Sequence, residues 1–205
     1  MKNTIYIYPT DTVWGIGGTI HDEIVYNQVA RIKETDLTKP VSTLFNSWEL
    51  LEDYFNFPDT IKTVKSELLQ IFKLKTTLGF PVKWIKNNSI PQWIYQNSDV
   101  VGVRVLKDSK SINKIIKNEK SAIITTSLNK TGSEPIILKN DAIAFQKNFA
   151  KNCEFICEDD YKDPTRSSAS TIIFFNEKYN YTIIRKGEGW DNIEKHLALL
   201  TTRLL

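Results

Sequence analysis

Cysteine and histidine are scarce in this chain, and their scarcity argues against several kinds of site. The 205 residues include two cysteines, Cys153 and Cys157, and two histidines, His21 and His196. The cysteines are not spaced as CxxC and no second pair follows, which argues against a zinc site. Both thiols are expected to lie half-buried on or near a strand. Neither histidine falls in a polar cluster, so a catalytic triad or a general-base histidine is not expected.

Long apolar runs and strong net charge are also missing. No apolar stretch approaches the roughly 18–20 residues that span a bilayer, and the N-terminus, MKNTIYIYPTD, turns polar too soon for a signal peptide. A cytoplasmic protein without a membrane partner is therefore expected. The formal net charge is only +3, so any basic patch that binds nucleic acid must be local. Lysine far outnumbers arginine, which draws interest to the few arginines: Arg31, Arg104, Arg166, Arg185 and Arg203.

Ordinary composition and alternating patterns predict an α/β fold. Hydrophobic residues make up 41% of the chain and charged residues 25%, as in most globular domains. There are no repeats, no low-complexity tracts and no Gly/Ser linker. We expect a single domain over residues 1–205, with no C-terminal extension domain. Its core is expected to be a twisted mixed β-sheet with flanking helices.

Hydrophobic periodicity and capping residues predict the individual elements. Strands are expected at Thr4–Tyr8, Lys75–Phe80, Val82–Ile85, Asp99–Leu106, Ser121–Ser127, residues 154–157, Ser170–Phe175 and Tyr181–Gly187. Helices are expected from the Asp22 cap to about Glu34, from the Ser47 cap through Tyr54, from Asp59 through Phe72, from a Ser109 or Ser111 cap to Asn118, and from about Asn192 onwards. The segment YPTDTVWGIGG, Tyr8 to Gly18, is expected to leave the first strand as a flexible glycine-rich turn.

Four strand ends carry small hydroxyl residues, glycines or lone cations. They are PTDTVWGIGG (9–18), TTSLNKTG (125–132), TRSSAST (165–171) and RKGEG (185–189). Hydroxyls and free N–H groups in such turns bind anions, and ligands of α/β sheets lie just beyond strand ends. Turn chemistry alone explains any one of the four. Together they favour a polyanionic ligand, with Lys33, Arg104 and Arg185 as countercharges, although no run matches a P-loop or a full GxGxxG.

Two acidic features leave alternatives open. Asp11 is the only acid inside a hydroxyl-rich cluster. It could orient hydrogen-bond donors, hold a metal-bound water, or only fix the turn as an Asx-type residue. The acidic run CEDDYKD, with Glu158, Asp159, Asp160 and Asp163, is expected to be a solvated loop rather than a Mg²⁺ site.

The hydroxyl-rich segments resemble, in order and spacing, the motifs of the YrdC family, the threonylcarbamoyl-AMP synthases. YPTDTVWGIG is similar to the opening YPTDTVYGLG-type motif, with Trp14 in place of a tyrosine. SLNKTG resembles the SAN-x-SG segment, ASTII the PSTI-type strand start, GVRV the GVR segment, and RKG the late Arg-x-Gly. The resemblance spans nearly the whole chain. The first motif is long and specific, and the others gain weight from their order.

The resemblance implies both a fold and a reaction. Such proteins fold as one α/β domain whose twisted sheet curves around a deep, positively charged cavity. They form threonylcarbamoyl-AMP and pyrophosphate from ATP, L-threonine and bicarbonate, with Mg²⁺ accompanying ATP and no metal held by protein side chains. A downstream tRNA threonylcarbamoyl-transferase machinery then modifies the adenosine next to the anticodon. Weak tRNA or RNA binding by the chain itself is compatible with this implied function.

The resemblance also implies roles for individual residues. The implied catalytic residues are Lys33, Thr10 and Asp11. The implied ATP-binding residues are Lys33, Lys39, Thr77, Ser127, Asn129 and Arg185. The implied threonine-binding residues are Thr10, Thr12, Thr125, Ser170 and Arg104.

One position departs from the family pattern. Where the family's Lys-x-Arg element has an arginine, this chain has Thr35, two residues after Lys33. A guanidinium forks onto phosphate oxygens, whereas a hydroxyl makes one neutral hydrogen bond. The change is expected to cost on the order of 2–4 kcal/mol of transition-state stabilisation unless Lys39, Lys33 or Arg31 compensates. Two alternatives therefore stay open: a weakened nucleotide- or RNA-binding module of the same fold, and a related carbamoyl-transfer enzyme with another amine substrate.

Overall fold

The computed structural model describes residues 3–164 and 169–204. It is built around one nine-stranded mixed β-sheet. Its strands are β1 Ile5–Pro9, β2 Trp14–Thr19, β3 Ser42–Phe45, β4 Thr76–Pro81, β5 Val100–Val105, β6 Ile123–Ser127, β7 Glu154–Phe155, β8 Thr171–Phe175 and β9 Tyr181–Arg185. Across the sheet the order is β7-β1-β2-β6-β3-β5-β4-β8-β9. The pairs β1·β7, β3·β5 and β4·β8 are parallel, and the other neighbours are antiparallel. The predicted mixed sheet is thereby confirmed.

Helices flank this sheet. They are α1 Glu23–Lys33, α2 Trp48–Tyr54, α3 Asp59–Thr63, α4 Lys65–Lys73, α5 Gln92–Tyr95, α6 Lys110–Glu119, α7 Lys139–Phe149 and α8 Trp190–Leu204. The side chains of Asp22, Ser47 and Ser109 accept backbone N–H groups in the first turns of α1, α2 and α6, as their positions predict. None of the helices within residues 3–164 and 169–204 is long and apolar enough to cross a membrane.

Three predicted elements are wrong in detail. The segment predicted as a strand at Val82–Ile85 is a 3₁₀ helix, Val82–Trp84, that follows Pro81 at the end of β4. The helix predicted from Asp59 through Phe72 breaks at Val64, which has φ −106° and ψ 17° and separates α3 from α4. The strand expected over residues 154–157 shrinks to the two residues of β7. Three elements of the fold, β3, α5 and α7, have no counterpart among the predicted ones.

The glycine-rich stretch after β1 is strand β2 rather than a flexible turn. Gly15, Gly17 and Gly18 all lie inside β2, which is buried between β1 and β6. A Cβ atom at Gly17 would lie 1.8 Å from the carbonyl oxygen of Ile124, and one at Gly18 would lie 2.4 Å from that of Thr4. These glycines therefore let neighbouring backbones approach closely. The actual turn is confined to the residues between Pro9 and Trp14.

The core covers both faces of the sheet. A large apolar cluster includes Trp14, Phe45 and Phe80. A smaller cluster packs the inner face of α6 against β1, where Ile112 and Ile115 join Tyr8. Of the two free thiols, Cys157 is half-buried as expected, whereas Cys153 is buried. Burial raises the pKa of the Cys153 thiol to about 11.

We predict that Gly17→Ala destabilises the fold by about 3 kcal/mol, because the added methyl group would push β2 away from β6. The matched control is Gly102→Ala in β5, whose added Cβ would lie 3.0 Å from the rotatable Ser42 hydroxyl. We expect the control to stay close to the wild-type stability. Urea unfolding followed by circular dichroism measures both variants, and equal stability of the two would contradict the close-approach explanation.

Candidate active site

Several strand ends surround a cavity of about 220 Å³. Eight of the residues singled out from the sequence line it: Thr10, Thr12, Thr77, Arg104, Thr125, Ser127, Ser170 and Arg185. They come from the turn before β2, from β4, β5, β6 and β9, and from the residue before β8. Segments far apart in the chain thus present hydroxyls and guanidinium groups to one space. Arg166 and part of the third cluster, residues 165–168, fall outside the described residues.

The turn between β1 and β2 holds its hydroxyls by internal hydrogen bonds. Thr10 Oγ1 accepts the backbone N–H groups of Thr12 at 3.2 Å and Val13 at 3.3 Å. It lies 2.7 Å from the carbonyl oxygen of Val13 and 3.0 Å from Thr12 Oγ1. Thr12 is only 2% exposed. Both hydroxyls therefore have defined positions on the cavity wall.

Asp11 pairs with a buried arginine. Its carboxylate accepts a hydrogen bond from Nη2 of Arg104, while Nη1 of Arg104 donates to Thr12 Oγ1 at 3.0 Å. The Nε–H of Arg104 is buried and has no partner among the described residues. An orphaned buried donor costs about 1–3 kcal/mol, and an anion in the cavity could satisfy it. Of the alternatives for Asp11, the geometry favours orientation of a hydrogen-bond donor.

A β-bulge directs Arg185 into the cavity. Ile172 pairs with Arg185 but the next residue, Ile173, pairs with Ile183, so Ile184 is an extra residue in β9. Such bulges re-aim side chains. Nε of Arg185 donates to the Ser170 carbonyl oxygen at 2.9 Å, and Nη2 donates to its hydroxyl at 3.3 Å. Burial, with a smaller contribution from the charge of Arg104, lowers the pKa of Arg185.

Two hydroxyl pairs complete the cavity. Thr77 Oγ1 and Ser170 Oγ lie 3.0 Å apart. Tyr8 donates its hydroxyl proton to Thr125 Oγ1 at 2.9 Å, and burial raises the pKa of Tyr8. Tyr8 was not singled out from the sequence as a site residue. The signal was available, since its position at the end of a buried strand places a phenol beside the polar turn.

Lys33 and Asn129 lie behind the cavity wall. The Lys33 ammonium donates to the carbonyl oxygen of Ser127 and, at 2.9 Å each, to the carbonyl and side-chain oxygens of Asn129. Ser127 Oγ donates to the same Asn129 side-chain oxygen at 2.6 Å. Burial lowers the pKa of Lys33 to about 8. The ammonium has three protons, and these three neutral oxygens account for all of them.

Thr35 and Lys39 lie in the segment that follows α1. Thr35 is half-buried and its N–H bonds to the Ala30 carbonyl oxygen at 3.0 Å, which closes the helix end. Lys39 is exposed and precedes Pro40, which lines the cavity. Beside them, Glu34 pairs with Lys130 at 2.6 Å. Thr35 is not among the residues that line the cavity.

The acidic run after β7 caps helices. Glu158 accepts the N–H of Ser111 in the first turn of α6 at 2.8 Å, and Asp163 accepts the N–H of Lys139 at the start of α7 at 2.8 Å. Asp160 is exposed and pairs with Lys110 at 3.0 Å. Within the described ranges, no three His, Cys, Asp or Glu side chains are grouped so as to hold a metal ion.

Curated proteins and solved structures resemble this chain over most of its length. A threonylcarbamoyl-AMP synthase from Acinetobacter baylyi is 23% identical over 70% of this chain and 75% of its own. A protein of the same name from Hydrogenovibrio crunogenus is 25% identical over 64% and 69%. The structure of P. abyssi Sua5 in complex with L-threonine superimposes with a TM-score of 0.77 at 22% identity, over 96% of this chain. The described chain spans 54% of that structure's length, so the match there concerns the fold of one part.

A match to a family model shows which protein family the chain belongs to. The Sua5/YciO/YrdC model, described as "Telomere recombination", matches residues 1–187. E. coli YciO has the same fold, with a TM-score of 0.64 at 17% identity over 91% of this chain. The synthase relatives are nucleotidyltransferase-type enzymes by name. With its cavity of hydroxyls and two guanidinium groups, this chain is an enzyme that belongs to the Sua5/YciO/YrdC family.

Proposed function

We propose that the chain is an L-threonylcarbamoyladenylate synthase, which forms threonylcarbamoyl-AMP and pyrophosphate from ATP, L-threonine and bicarbonate. The observation that carries this proposal is the convergence of eight expected substrate-binding residues on one cavity. The names of the relatives give the product, threonylcarbamoyl-AMP, whose parts imply threonine and ATP as substrates. The product would serve a cytoplasmic tRNA threonylcarbamoyl-transferase machinery that modifies the adenosine next to the anticodon.

The proposed chemistry needs positioning and charge neutralisation more than a side-chain base. The threonine ammonium gives a proton to bicarbonate, which releases CO₂ and water. The free amine then forms an N–C bond to the carbon of CO₂ and loses a second proton to solvent, which gives N-carboxythreonine. A carboxylate oxygen of that group then bonds to the α-phosphorus of ATP, and the bond from the α-phosphorus to the bridging oxygen breaks. Pyrophosphate leaves with the electron pair. Such transfers at phosphorus rely on aligned reactants and cations.

The cavity can divide these tasks between its walls. Thr10, Thr12 and Thr125 offer hydroxyls on the β1–β2–β6 side, where we place threonine. The ion pair with Asp11 holds Arg104 in place. Its Nε–H has no partner among the described residues, and we assign it to an anionic group such as the threonine carboxylate. Arg185 has no carboxylate partner within the described ranges, and we assign it to the phosphates.

We assign the remaining ATP contacts to the end of β6 with the loop after it, and to a Mg²⁺ ion that arrives bound to ATP. Ser127 lines the cavity, while Lys33 donates to its carbonyl oxygen and the Asn129 side-chain oxygen accepts its hydroxyl. Thr77 and Ser170 join the Arg185 side, and Lys39 extends the positive charge outside. Asp11 is already paired with Arg104. We therefore propose that Mg²⁺ enters as the ATP complex rather than as a resident ion.

The direct test is an assay of purified protein with ATP, threonine, bicarbonate and Mg²⁺. We expect pyrophosphate and threonylcarbamoyl-AMP, detected by a coupled phosphate assay and by mass spectrometry. A panel of other amino acids tests the alternative of a different amine substrate. Thr35 favours a second candidate, a nucleotide-binding module with little turnover. ATP binding without product, while a relative works in parallel, would favour that candidate over the synthase.

Arg185→Ala is predicted to lower kcat/KM for ATP by about 10²–10³-fold, because one preorganised cation is removed from the phosphates. The matched control is Lys186→Ala, which removes one charge from the next residue, an exposed lysine held over the Trp190 ring. Steady-state pyrophosphate release measures both variants. Similar losses of kcat/KM in the two variants would show that any nearby positive charge, rather than the position of Arg185, is what the reaction needs.

Thr35→Arg is predicted to raise kcat/KM for ATP about tenfold, since an added guanidinium beside the wall can reach a phosphate. Thr38→Arg, an exposed position in the same loop, adds the same charge and serves as the control. An unchanged or lower rate in the Thr35 variant would show that the site functions without a guanidinium at this position.

Lys33→Met is predicted to alter the pH dependence of stability. The folded pKa of Lys33 is about 8, below the unfolded value of roughly 10.4. Between these values the unfolded chain binds a proton that the folded chain lacks, so the contribution of Lys33 to stability rises with pH and is lost as pH falls through 8. The wild type should therefore gain stability relative to Lys33→Met between pH 7 and about pH 9.5. Urea unfolding at both values measures this. A constant difference would mean that the three oxygens offset the burial of the ammonium.

A further inference from the structure

A buried tyrosine stands directly behind the cavity wall. Tyr8 is 0% exposed, and its hydroxyl donates to Thr125 Oγ1 at 2.9 Å. Thr125 lines the 220 Å³ cavity, whereas Tyr8 is not among the lining residues. Tyr8 can therefore influence a ligand in this cavity only through the residue that it holds.

The Tyr8 ring reaches Thr125 by crossing strand β2. Tyr8 belongs to β1 and Thr125 to β6, and these strands lie on opposite sides of β2. A Cβ atom at Gly15 would lie 2.8 Å from Cε2 of Tyr8, and one at Gly17 would lie 3.1 Å from the Tyr8 hydroxyl oxygen. The ring thus packs against two positions of β2 that lack side chains, and this packing fixes where the phenol lies.

The direction of the Tyr8–Thr125 hydrogen bond decides what the Thr125 hydroxyl can do. Burial raises the pKa of Tyr8, so the phenol keeps its proton at neutral pH and remains a donor. A threonine hydroxyl has one proton and two lone pairs. Tyr8 uses a lone pair of Thr125, and no described residue accepts the Thr125 proton. On the wall of the cavity, that proton is available to a ligand.

A donor at this position selects one end of a bound amino acid. An ammonium group has three donors and no acceptor, whereas a carboxylate only accepts. Of the two charged groups of L-threonine, only the carboxylate can receive the Thr125 proton. Arg104, whose Nε–H we assign to the same carboxylate, is near enough that its charge opposes the rise in the pKa of Tyr8. The carboxylate would therefore lie between Arg104 and Thr125, with the amino group directed away from both.

We propose that Tyr8 is a positioning residue that orients L-threonine. By donating to Thr125, it makes the Thr125 hydroxyl a donor to the threonine carboxylate. Such supporting hydrogen bonds hold a binding group in its productive geometry. This inference rests on the proposed synthase function and deepens it, since it assigns the direction in which the amino acid lies.

The test variant is Tyr8→Phe, which removes only the hydroxyl. Isothermal titration calorimetry with L-threonine, in the absence of ATP, should show a Kd raised about five- to tenfold, the effect of one lost hydrogen bond. In steady-state assays the KM for threonine should rise by the same factor, while the KM for ATP stays at the wild-type value. A general loss of structure would raise both KM values.

The matched control is Tyr6→Phe. Tyr6 lies two residues earlier in β1, so both side chains are on the same side of the strand. It is also buried, and its hydroxyl donates to Glu119 at 2.5 Å, away from the residues that line the cavity. Tyr6→Phe should therefore bind L-threonine like the wild type.

Two further measurements identify the groups involved. L-Threoninol carries an alcohol in place of the carboxylate, so wild type and Tyr8→Phe should bind it with equal Kd. Thr125→Val removes the hydroxyl that Tyr8 holds, so adding Tyr8→Phe to this variant should cause no further loss of threonine affinity. Thr125→Val should by itself weaken the binding of threonine more than that of threoninol, which tests the donor role without any change at Tyr8.

Several outcomes would overturn the proposal. They are a wild-type Kd for threonine in Tyr8→Phe, an equal loss in Tyr6→Phe, an equal loss for threoninol, and additive losses in the double variant. Thermal unfolding verifies that each variant folds. No binding of threonine by the wild type would overturn the synthase function together with this inference. Threonine binding that is equal in wild type and Tyr8→Phe would overturn the inference alone.

Discussion

The close approach of β2 to β6 is the constraint on which the site depends. Gly17 lies against the carbonyl oxygen of Ile124, a contact that leaves no room for a Cβ atom. This contact places Gly15 opposite Ser127 and Gly17 opposite Thr125 in the antiparallel register. The hydroxyls of β6 consequently face the turn that carries Thr10 and Thr12. A bulkier β2 would separate β6 from the turn that carries Thr10 and Thr12, and so divide the wall that we assign to threonine.

Electrostatics explain why this cavity is suited to an anion. Two guanidinium groups line it, and among the described residues only Arg104 has a carboxylate partner. The remaining positive charge is held by neutral oxygens, with the exposed Arg185 on Ser170 and the buried Lys33 on the loop after β6. Burying a cation without a countercharge is unfavourable, and the lowered pKa of Lys33 reflects that cost. A bound phosphate or carboxylate would relieve it.

Local sequence patterns predicted which residues share a cavity better than they predicted the boundaries of the elements. Hydroxyls at strand ends and rare arginines are visible in the sequence, and Thr10, Ser127 and Arg185 do line one cavity. What the pattern could not reveal was backbone proximity. In the sequence, the glycines of β2 resemble those of a turn, because glycine occurs both in turns and where two backbones pack closely. Only the position of the Ile124 carbonyl oxygen in the fold shows that close packing is the reason here. The bulge at Ile184 depends on pairing with β8, which no local pattern specifies.

The same limit applies to charge. The formal net charge of +3 does not reveal where the cations lie in the fold. Local density, not the sum, decides whether phosphate is attracted. Arg104, Arg185 and Lys33 come from distant parts of the chain, and each is held by hydrogen bonds, as the precise binding of a small anion requires.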